Sequence, residues 1–299
     1  MSITIIECKY KTTMEPIICG RTIGECIVAG QTLKNNIKKR ISKYFTNSES
    51  IFIRDDFWPS LELLEKISKC TTPFKVLNND QEALLWKENS DLSQIQNDNV
   101  FNIDKNSFQI TYPWELLNIN EELMKCIQNP IINGNVRNEA IIDGILQIGK
   151  NSVLLPGVYI EGTVIIGDNC KIGPNCYIRG FTSIGDNCHI GQAVEIKNSI
   201  LMNNVAAGHL SYIGDSIIGE HTNFGAGTIT ANFRHDGKNH ISAINNELIN
   251  TGRRKFGTVF GDNVHTGIHT SIYPGRKIWN DKSTLPGTIV KKDIKPRKK

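Results

Sequence analysis

The sequence contains no apolar run of membrane-spanning length, so no helical membrane insertion is expected. Its first residues, interrupted by Glu7, Lys9 and Lys11, lack the layout of a secretory leader, and a cytoplasmic setting is the expectation. The eight cysteines include no C-x-x-C pair, which argues against a zinc knuckle or a redox dithiol. Cys170 and Cys188 stand eighteen residues apart, and buried free thiols are expected there rather than a disulfide. A large excess of one charge is also missing: the net charge is +4 and the pI about 8.5. Apart from Arg253–Lys255 and the tail Lys291–Lys299 the basic residues form no stripe, so nucleic acid is not an expected partner.

Glycine is withheld from one half of the chain. Only three of the twenty-five (Gly20, Gly24 and Gly30) fall in the first 130 residues, which implies two domains of different construction. Residues 1–112 read as a small α/β domain. Strands are expected at Ile3–Cys8, Ser50–Ile53 and Phe74–Leu77, with helices at Thr32–Tyr44, Leu61–Ser68 and Gln81–Glu88. The polar stretch from Asn89 to about Ser107 reads as a loop or linker. Pro113 then opens a linking helix, within 113–130, that runs to about Gln128 and offers Trp114, Leu117, Met124 and Ile127 to one face. The remainder, 131–299, forms the second domain.

What is abundant there is a six-residue repeat. Ile148, Leu154, Ile160, Ile166, Ile172, Ile178, Ile184, Ile190 and Ile196 recur without a slip, a period that neither a helix nor a strand produces. Gly follows the aliphatic residue at 149, 167, 173, 185 and 191, and Asn comes two places later at 151, 169, 175 and 187. Both types tolerate a left-handed backbone, so each hexad reads as a short strand and a corner. Three hexads would close a triangular coil of eighteen residues, and stacked coils would bury the aliphatic column. Ser152, Cys170, Cys176, Thr182 and Cys188 should point inward beside it. The expected fold is mainly β, a parallel β-helix of the hexapeptide-repeat type preceded by the α/β domain. In the hexapeptide-repeat proteins it resembles, the coil is left-handed, against the usual crossover rule.

Two interruptions stand out. The phase resumes at Ile218, twenty-two residues after Ile196, so Asn203–Asp215 is expected to bulge from the prism. Phe233 to about Lys255 is polar and too long for a corner, and reads as a projecting loop before the phase returns at Phe260, Thr266, Ile272, Ile278, Thr284 and Val290. Binding groups concentrate on such loops.

Arg179 and Lys197 each follow a repeat aliphatic and lie one coil apart, hence about 4.8 Å apart on one corner. Like charges this close repel by about 1 kcal/mol in water and more at a partly dry surface. Such a pair suits an anion, and a guanidinium suits a phosphate; two splayed, solvated side chains are the plainer reading of the same spacing. His209 lies within the first interruption, in Gly208–Asp215, and an imidazole can accept a proton near neutral pH. Asn223–Asn232 follows, with Gly225–Thr230 inside it.

From Arg179 to Asn232 the chain resembles the acetyltransferase domain of the bifunctional N-acetylglucosamine-1-phosphate uridylyltransferase/glucosamine-1-phosphate N-acetyltransferase. Arg179, Lys197, His209, Tyr212, Asn223 and Asn232 match its spacing without gaps, and Val194–Lys197, Gly208–Asp215 and Gly225–Thr230 match almost letter for letter. Gly252–Gly257 and Gly261-Asp262 resemble the archaeal sugar-1-phosphate nucleotidylyltransferase branch, and the similarity covers roughly residues 113–294. The resemblance implies that Arg179 and Lys197 bind a sugar phosphate, that His209 deprotonates its amine for attack on acetyl-CoA, and that Tyr212, Asn223 and Asn232 hold the sugar. It further implies Ala226 along the acetyl-CoA, a backbone N–H near Gly267–Ile268 facing the oxyanion, and a homotrimer. Three departures weigh against a full match. Phe233 stands where the bacterial enzymes have Tyr, and Ile268 replaces a Ser. One phosphate-site lysine lacks a counterpart, for which Lys238, Arg253, Arg254 or Lys255 would substitute.

Residues 1–112 resemble that family less. The Gly-rich L-x-x-G-x-G-T-R loop and the carboxylates for Mg²⁺ are absent, while Glu15–Leu33 looks like the start of divergent sugar-nucleotidyltransferase relatives. A reduced, inactive remnant is expected, with Mg²⁺ needed only if it acts. No metal site is expected: His265 and His269 make a pair, but no matching trio of histidines appears. The leading expectation is an acetyl-CoA-dependent N-acetyltransferase acting on glucosamine-1-phosphate or galactosamine-1-phosphate in nucleotide-sugar synthesis. The alternatives are a sugar-1-phosphate nucleotidyltransferase and a non-catalytic sugar-phosphate-binding scaffold.

Overall fold

The structure, a computed structural model, describes residues 2–46, 49–88, 91–245 and 247–296. The start of the expected linker, Asn89 and Ser90, and the last three residues of the basic tail lie outside the described residues. The chain forms two compact units: Met1–Tyr10, Arg21–Cys26 and Gln31–Thr111 in one, Lys11–Gly20, Ile27–Gly30 and Tyr112–Lys299 in the other. Among the described residues no helix is long and apolar enough to cross a membrane.

The first unit is built on a five-stranded sheet in the order Ser2–Ile6, Ser50–Arg54, Ala83–Lys87, Lys75–Leu77, Val100–Asn102. Helices Leu33–Ile41 and Leu61–Ser68 belong to the same unit. The second starts where Ser60 Oγ accepts the Leu63 N–H at 2.9 Å, an N-cap, and it buries Leu63, Leu64 and Ile67. The helix expected at Gln81–Glu88 is instead the strand Ala83–Lys87. It pairs antiparallel with both Ser50–Arg54 and Lys75–Leu77, and its Leu84 and Leu85 are buried. Pairing on both sides overrides the helix preference of Ala, Leu and Lys. The expected linker also contributes structure. Val100–Asn102 is an edge strand parallel to Lys75–Leu77, preceded by short 3₁₀ turns at Leu92–Gln94 and Asn97–Asn99.

The main segment of the second unit, Tyr112–Lys299, begins with helix Trp114–Lys125, which buries Trp114, Leu117 and Met124; Ile127 lies beyond its end. Parallel coils follow, in the register Ile142, Ile160, Ile178, Ile196. All nine residues of the aliphatic column are at most 2% exposed, as the repeat requires. This is the left-handed parallel β-helix of hexapeptide-repeat proteins. Ser152, Cys170, Cys176, Thr182 and Cys188 are buried inside it. Their polar hydrogens find backbone carbonyls: Ser152 Oγ donates to Gly167 O at 2.6 Å, and Cys170 Sγ to Gly185 O at 3.1 Å. All eight cysteines are free thiols.

The corners divide the work between Asn and Gly. Asn151, Asn169, Asn175 and Asn187 take the left-handed backbone, with φ from 52° to 59°. Most of the repeat glycines do not. Gly167 is held to glycine by stacking, because a Cβ there would stand 2.2 Å from Asp186 Oδ1 and 2.7 Å from the backbone of Gly185 in the next coil.

The bulge expected at Asn203–Asp215 is absent. The coil loses one residue at each of two corners, Lys197–Leu201 and Gly214–Ile218, so neighbouring coils pair seventeen residues apart: His189 with Ala206, Glu195 with Tyr212, Ile200 with Ile217. The twenty-two residues from Ile196 to Ile218 are thus sides of five, six, six and five, and Leu201, Ala207, Ile213 and Ile218 continue the buried column. Asn198 and Asp215 turn the shortened corners with φ of 47° and 48°. The second interruption leaves the prism as expected. Phe233 and Lys255 bridge its base, and it carries an antiparallel hairpin, Ile241–Ile244 with Glu247–Asn250.

Candidate functional site

The shortened corners stack over the one that carries Arg179. Arg179 and Lys197 are register partners on adjacent coils, as their spacing required. They are not a bare cation pair. Arg179 Nε and Nη2 donate to Glu195 Oε1 at 2.9 and 2.8 Å, and its guanidinium lies 5.2 Å from the centre of the Tyr177 ring. Lys197 Nζ donates to Asp215 Oδ2 at 2.9 Å and Oδ1 at 3.2 Å. The mutual repulsion is offset by one carboxylate each.

Asp215, 1% exposed, is the hub of this corner. Besides Lys197 it accepts Asn198 Nδ2 at 2.9 Å and Asn232 Nδ2 at 2.5 Å. Asn232 Nδ2 also donates to the Tyr212 hydroxyl at 2.9 Å. Burial, with the Asp215 and Glu195 carboxylates nearby, pushes the Tyr212 phenol up, so it stays protonated and can donate to a substrate oxygen. In the sequence Asp215 stands out only as the end of the segment Gly208–Asp215. The available signal was its place at the second one-residue deletion, where a short corner draws the side chain against the coil.

Arg179, Lys197, Tyr212 and Asn232 line one cleft of about 430 Å³ together with Phe233, Arg254 and Lys255. The last two arrive on the returning arm of the projecting loop. The Arg254 guanidinium lies 5.5 Å from the centre of the Phe233 ring. Among the described residues neither Arg254 nor Lys255 has a carboxylate partner. Arg253 points elsewhere: its guanidinium donates to Asn118 Oδ1 and Glu121 Oε1 on helix Trp114–Lys125. Lys238 does not line the cleft. Of the four loop cations considered from the sequence, two therefore join the stacked pair. Four cations facing two paired carboxylates leave the cleft electropositive.

His209, Asn223, Ala226 and Ile268 do not line this cleft. They lie toward the neighbouring edge. His209 pairs in register with Gln192, the Gly227 N–H donates to His209 O at 3.2 Å, and the His269 N–H to Ala226 O at 2.8 Å. His209, Ala226 and Ile268 therefore follow one another up that edge. Asn223 sits over Ala206 on the adjoining side. His209 and Asn223 are exposed, as is Ile268 at 51%. His209 precedes Tyr212 by three residues across the corner that Leu210 turns with φ of 50°, at most roughly 10 Å of extended chain. The Gly267 N–H is engaged with Thr284 Oγ1 at 2.9 Å, whereas the Ile268 N–H meets no acceptor among the described residues.

His265 Nε2 lies 3.1 Å from Asn263 Oδ1. In the first unit Cys8, Asp55 and Asp56 bring their potential ligand atoms within 4.8 Å of one another, a proximity the sequence did not reveal. Those carboxylates are already engaged. Asp55 accepts the Cys8 and Gly24 N–H groups at 2.8 and 3.1 Å, and Asp56 accepts Arg54 twice at 2.9 Å and Gln109 at 2.7 Å. They hold the strand end together as it stands.

A family profile described as "GMPPB C-terminal domain" matches residues 160–284. A "Bifunctional sugar-1-phosphate nucleotidylyltransferase/acetyltransferase" of Sulfurisphaera tokodaii is 39% identical over 182 residues, 61% of this chain and 45% of the relative. A "Bifunctional protein GlmU" of Methanococcus maripaludis is 45% identical over 202 residues, 67% of this chain and 49% of the relative. The chain thus spans about half the length of the curated relatives it matches. Among solved structures, a hexapeptide transferase family protein from Anaplasma phagocytophilum aligns with 16% identity and a TM-score of 0.26, over 50% of this chain and 72% of that one.

Proposed function

We propose that this chain, similar over its C-terminal region to bifunctional GlmU proteins, is an acetyl-CoA-dependent N-acetyltransferase acting on an amino-sugar 1-phosphate. The observation that carries the reading is the cleft in which Arg179, Lys197, Arg254 and Lys255 converge beside the hydroxyl of Tyr212 and the amide of Asn232. Four cations suit a phosphomonoester, and the neutral donors suit sugar hydroxyls. With the phosphate on the cations and the ring beside Tyr212, the amine extends over the corner at Leu210 toward His209. The imidazole takes the ammonium proton, the freed amine attacks the acetyl carbonyl of the thioester, and CoA thiol leaves. The Ile268 N–H is the donor best free to meet the developing oxyanion. Ala226 and Ile268 form the wall for the acetyl-CoA, and a homotrimer in the cytoplasm is the proposed assembly. Mg²⁺ enters only if the first unit transfers nucleotides.

A non-catalytic scaffold draws support from one observation, the exclusion of His209 from the cleft. The test separates them. Thiol release from acetyl-CoA is expected with glucosamine-1-phosphate or galactosamine-1-phosphate, with little from free glucosamine and no requirement for UTP. Phosphate binding without thiol release would favour the scaffold, and Mg²⁺-dependent pyrophosphate release from UTP would favour a nucleotidyltransferase.

A further inference from the structure

A second cavity, of about 270 Å³, lies in the C-terminal unit and is lined by residues outside the acceptor cleft, Lys277, Trp279, Lys295, Thr12, Asn245 and Glu15 among them. Its volume falls just below the range of drug-sized sites, so an occupant is small. The side chain of Lys277 is only 4% exposed. On an ordinary coil this residue would face water, but the loop hairpin at Ala243 and the chain at Asp293 and Ile294 meet it. Its Nζ donates to Ala243 O at 2.6 Å, and its nearest carboxylate, Asp293 Oδ2, is 3.8 Å away, at the limit of an ion pair. Asp293 Oδ1 is meanwhile occupied by the Lys277 backbone N–H. The buried ammonium is therefore poorly compensated, which is costly. A second ammonium, that of Lys295, converges on the same place: Lys277 Nζ and Lys295 Nζ lie 5.6 and 5.3 Å from the centre of the Trp279 ring. Lys295 is exposed and has no carboxylate partner among the described residues. The Glu15 carboxylate, which also lines the cavity, accepts the indole N–H of Trp279 at 2.8 Å. Thr12 Oγ1 accepts from Asn245 Nδ2 at 3.3 Å, which leaves its own hydrogen to donate.

We propose that this cavity is a binding site for a small oxyanion, a carboxylate or phosphate group held between the ammonium groups of Lys277 and Lys295. Burial pushes the Lys277 amine down to about 8, helped by Lys295 and Arg276 and opposed by Asp293 and Glu15. Binding therefore weakens as pH rises above that value, because the anion needs the protonated amine.

The test uses the full chain labelled with 5-fluorotryptophan, which gives four fluorine signals, with that of Trp279 assigned from Trp279→Phe. Inorganic phosphate and acetate are titrated separately at constant ionic strength, with chloride as control. The expected result is a saturable shift of the Trp279 signal alone. Its midpoint should rise at least tenfold in Lys277→Met and between pH 7 and pH 9.5, and several-fold in Lys295→Met. The relative effect of the two probes decides whether the site prefers phosphate or carboxylate. No saturable shift with either probe, an equal shift with chloride, or unchanged midpoints in Lys295→Met would overturn the proposal. That last variant lies at an exposed position and keeps the test decisive if Lys277→Met fails to fold.

Discussion

Asp215 shows how much one side chain can decide. Lys197, Asn198 and Asn232 all donate to its buried carboxylate, and through Asn232 it also fixes the Tyr212 hydroxyl. Removing it strands a lysine that is 16% exposed and takes one acceptor from each of two amides, which keep Glu121 and the Tyr212 hydroxyl. Asp215→Ala is expected to destabilise the protein by about 3 kcal/mol and to raise the KM for the sugar phosphate, measured by denaturant unfolding and steady-state kinetics. His209 is the opposite case, exposed and without a structural task for its ring. His209→Ala should leave the melting temperature unchanged while lowering kcat by roughly 10² to 10⁴. A comparable loss of stability would mean that the imidazole is structural. The inward column and the corner asparagines were readable in the sequence because each obeys a strict local period. Asp215 was not, since its partners come from the two neighbouring coils and none is a sequence neighbour.

At the scale of elements, the corner is the repeating decision. Asn169→Ala forces alanine to the left-handed backbone at 56° and should cost about 1 kcal/mol. Gly167→Ala must push the neighbouring coil aside and should cost more, a difference that chemical denaturation resolves. If the two cost the same, steric stacking is not what keeps the glycine. Lys277 adds a pH signature at this scale. Its folded value of about 8 lies below the usual 10.5, so between those values the unfolded chain binds more protons and stability rises with pH, by up to about 3 kcal/mol. Lys277→Met should abolish that rise in melting temperature from pH 8 to 10.5. Element identity was legible wherever a period was long. It failed at Gln81–Glu88, where pairing with both the distant Ser50–Arg54 and the hairpin neighbour Lys75–Leu77 turned a helix-favouring segment into a central strand. It failed again after Ile196, where a count of twenty-two concealed two deletions and suggested a bulge.

For the whole molecule, the hexad repeat dictated the prism, and the two breaks in its phase mark where the residues of the electropositive cleft gather. The shortened corners draw Lys197 and Asp215 together, and the long loop returns with Arg254 and Lys255 to the same cleft. Which loop cations would arrive was not legible, because the loop's path depends on its bridge from Phe233 to Lys255 and on the anchor of Arg253 to helix Trp114–Lys125. Replacing Arg254 and Lys255 together by Ala should raise the KM for the sugar phosphate about tenfold or more, flatten its dependence on salt, and leave folding intact. Light scattering is expected to give the mass of three chains. The most direct measurement is a crystal structure of the protein with glucosamine-1-phosphate bound. The account predicts the phosphate on Arg179, Lys197, Arg254 and Lys255, with the amine within about 3 Å of the His209 ring or one water away. A phosphate bound outside this cleft, or an amine directed away from His209, would contradict it.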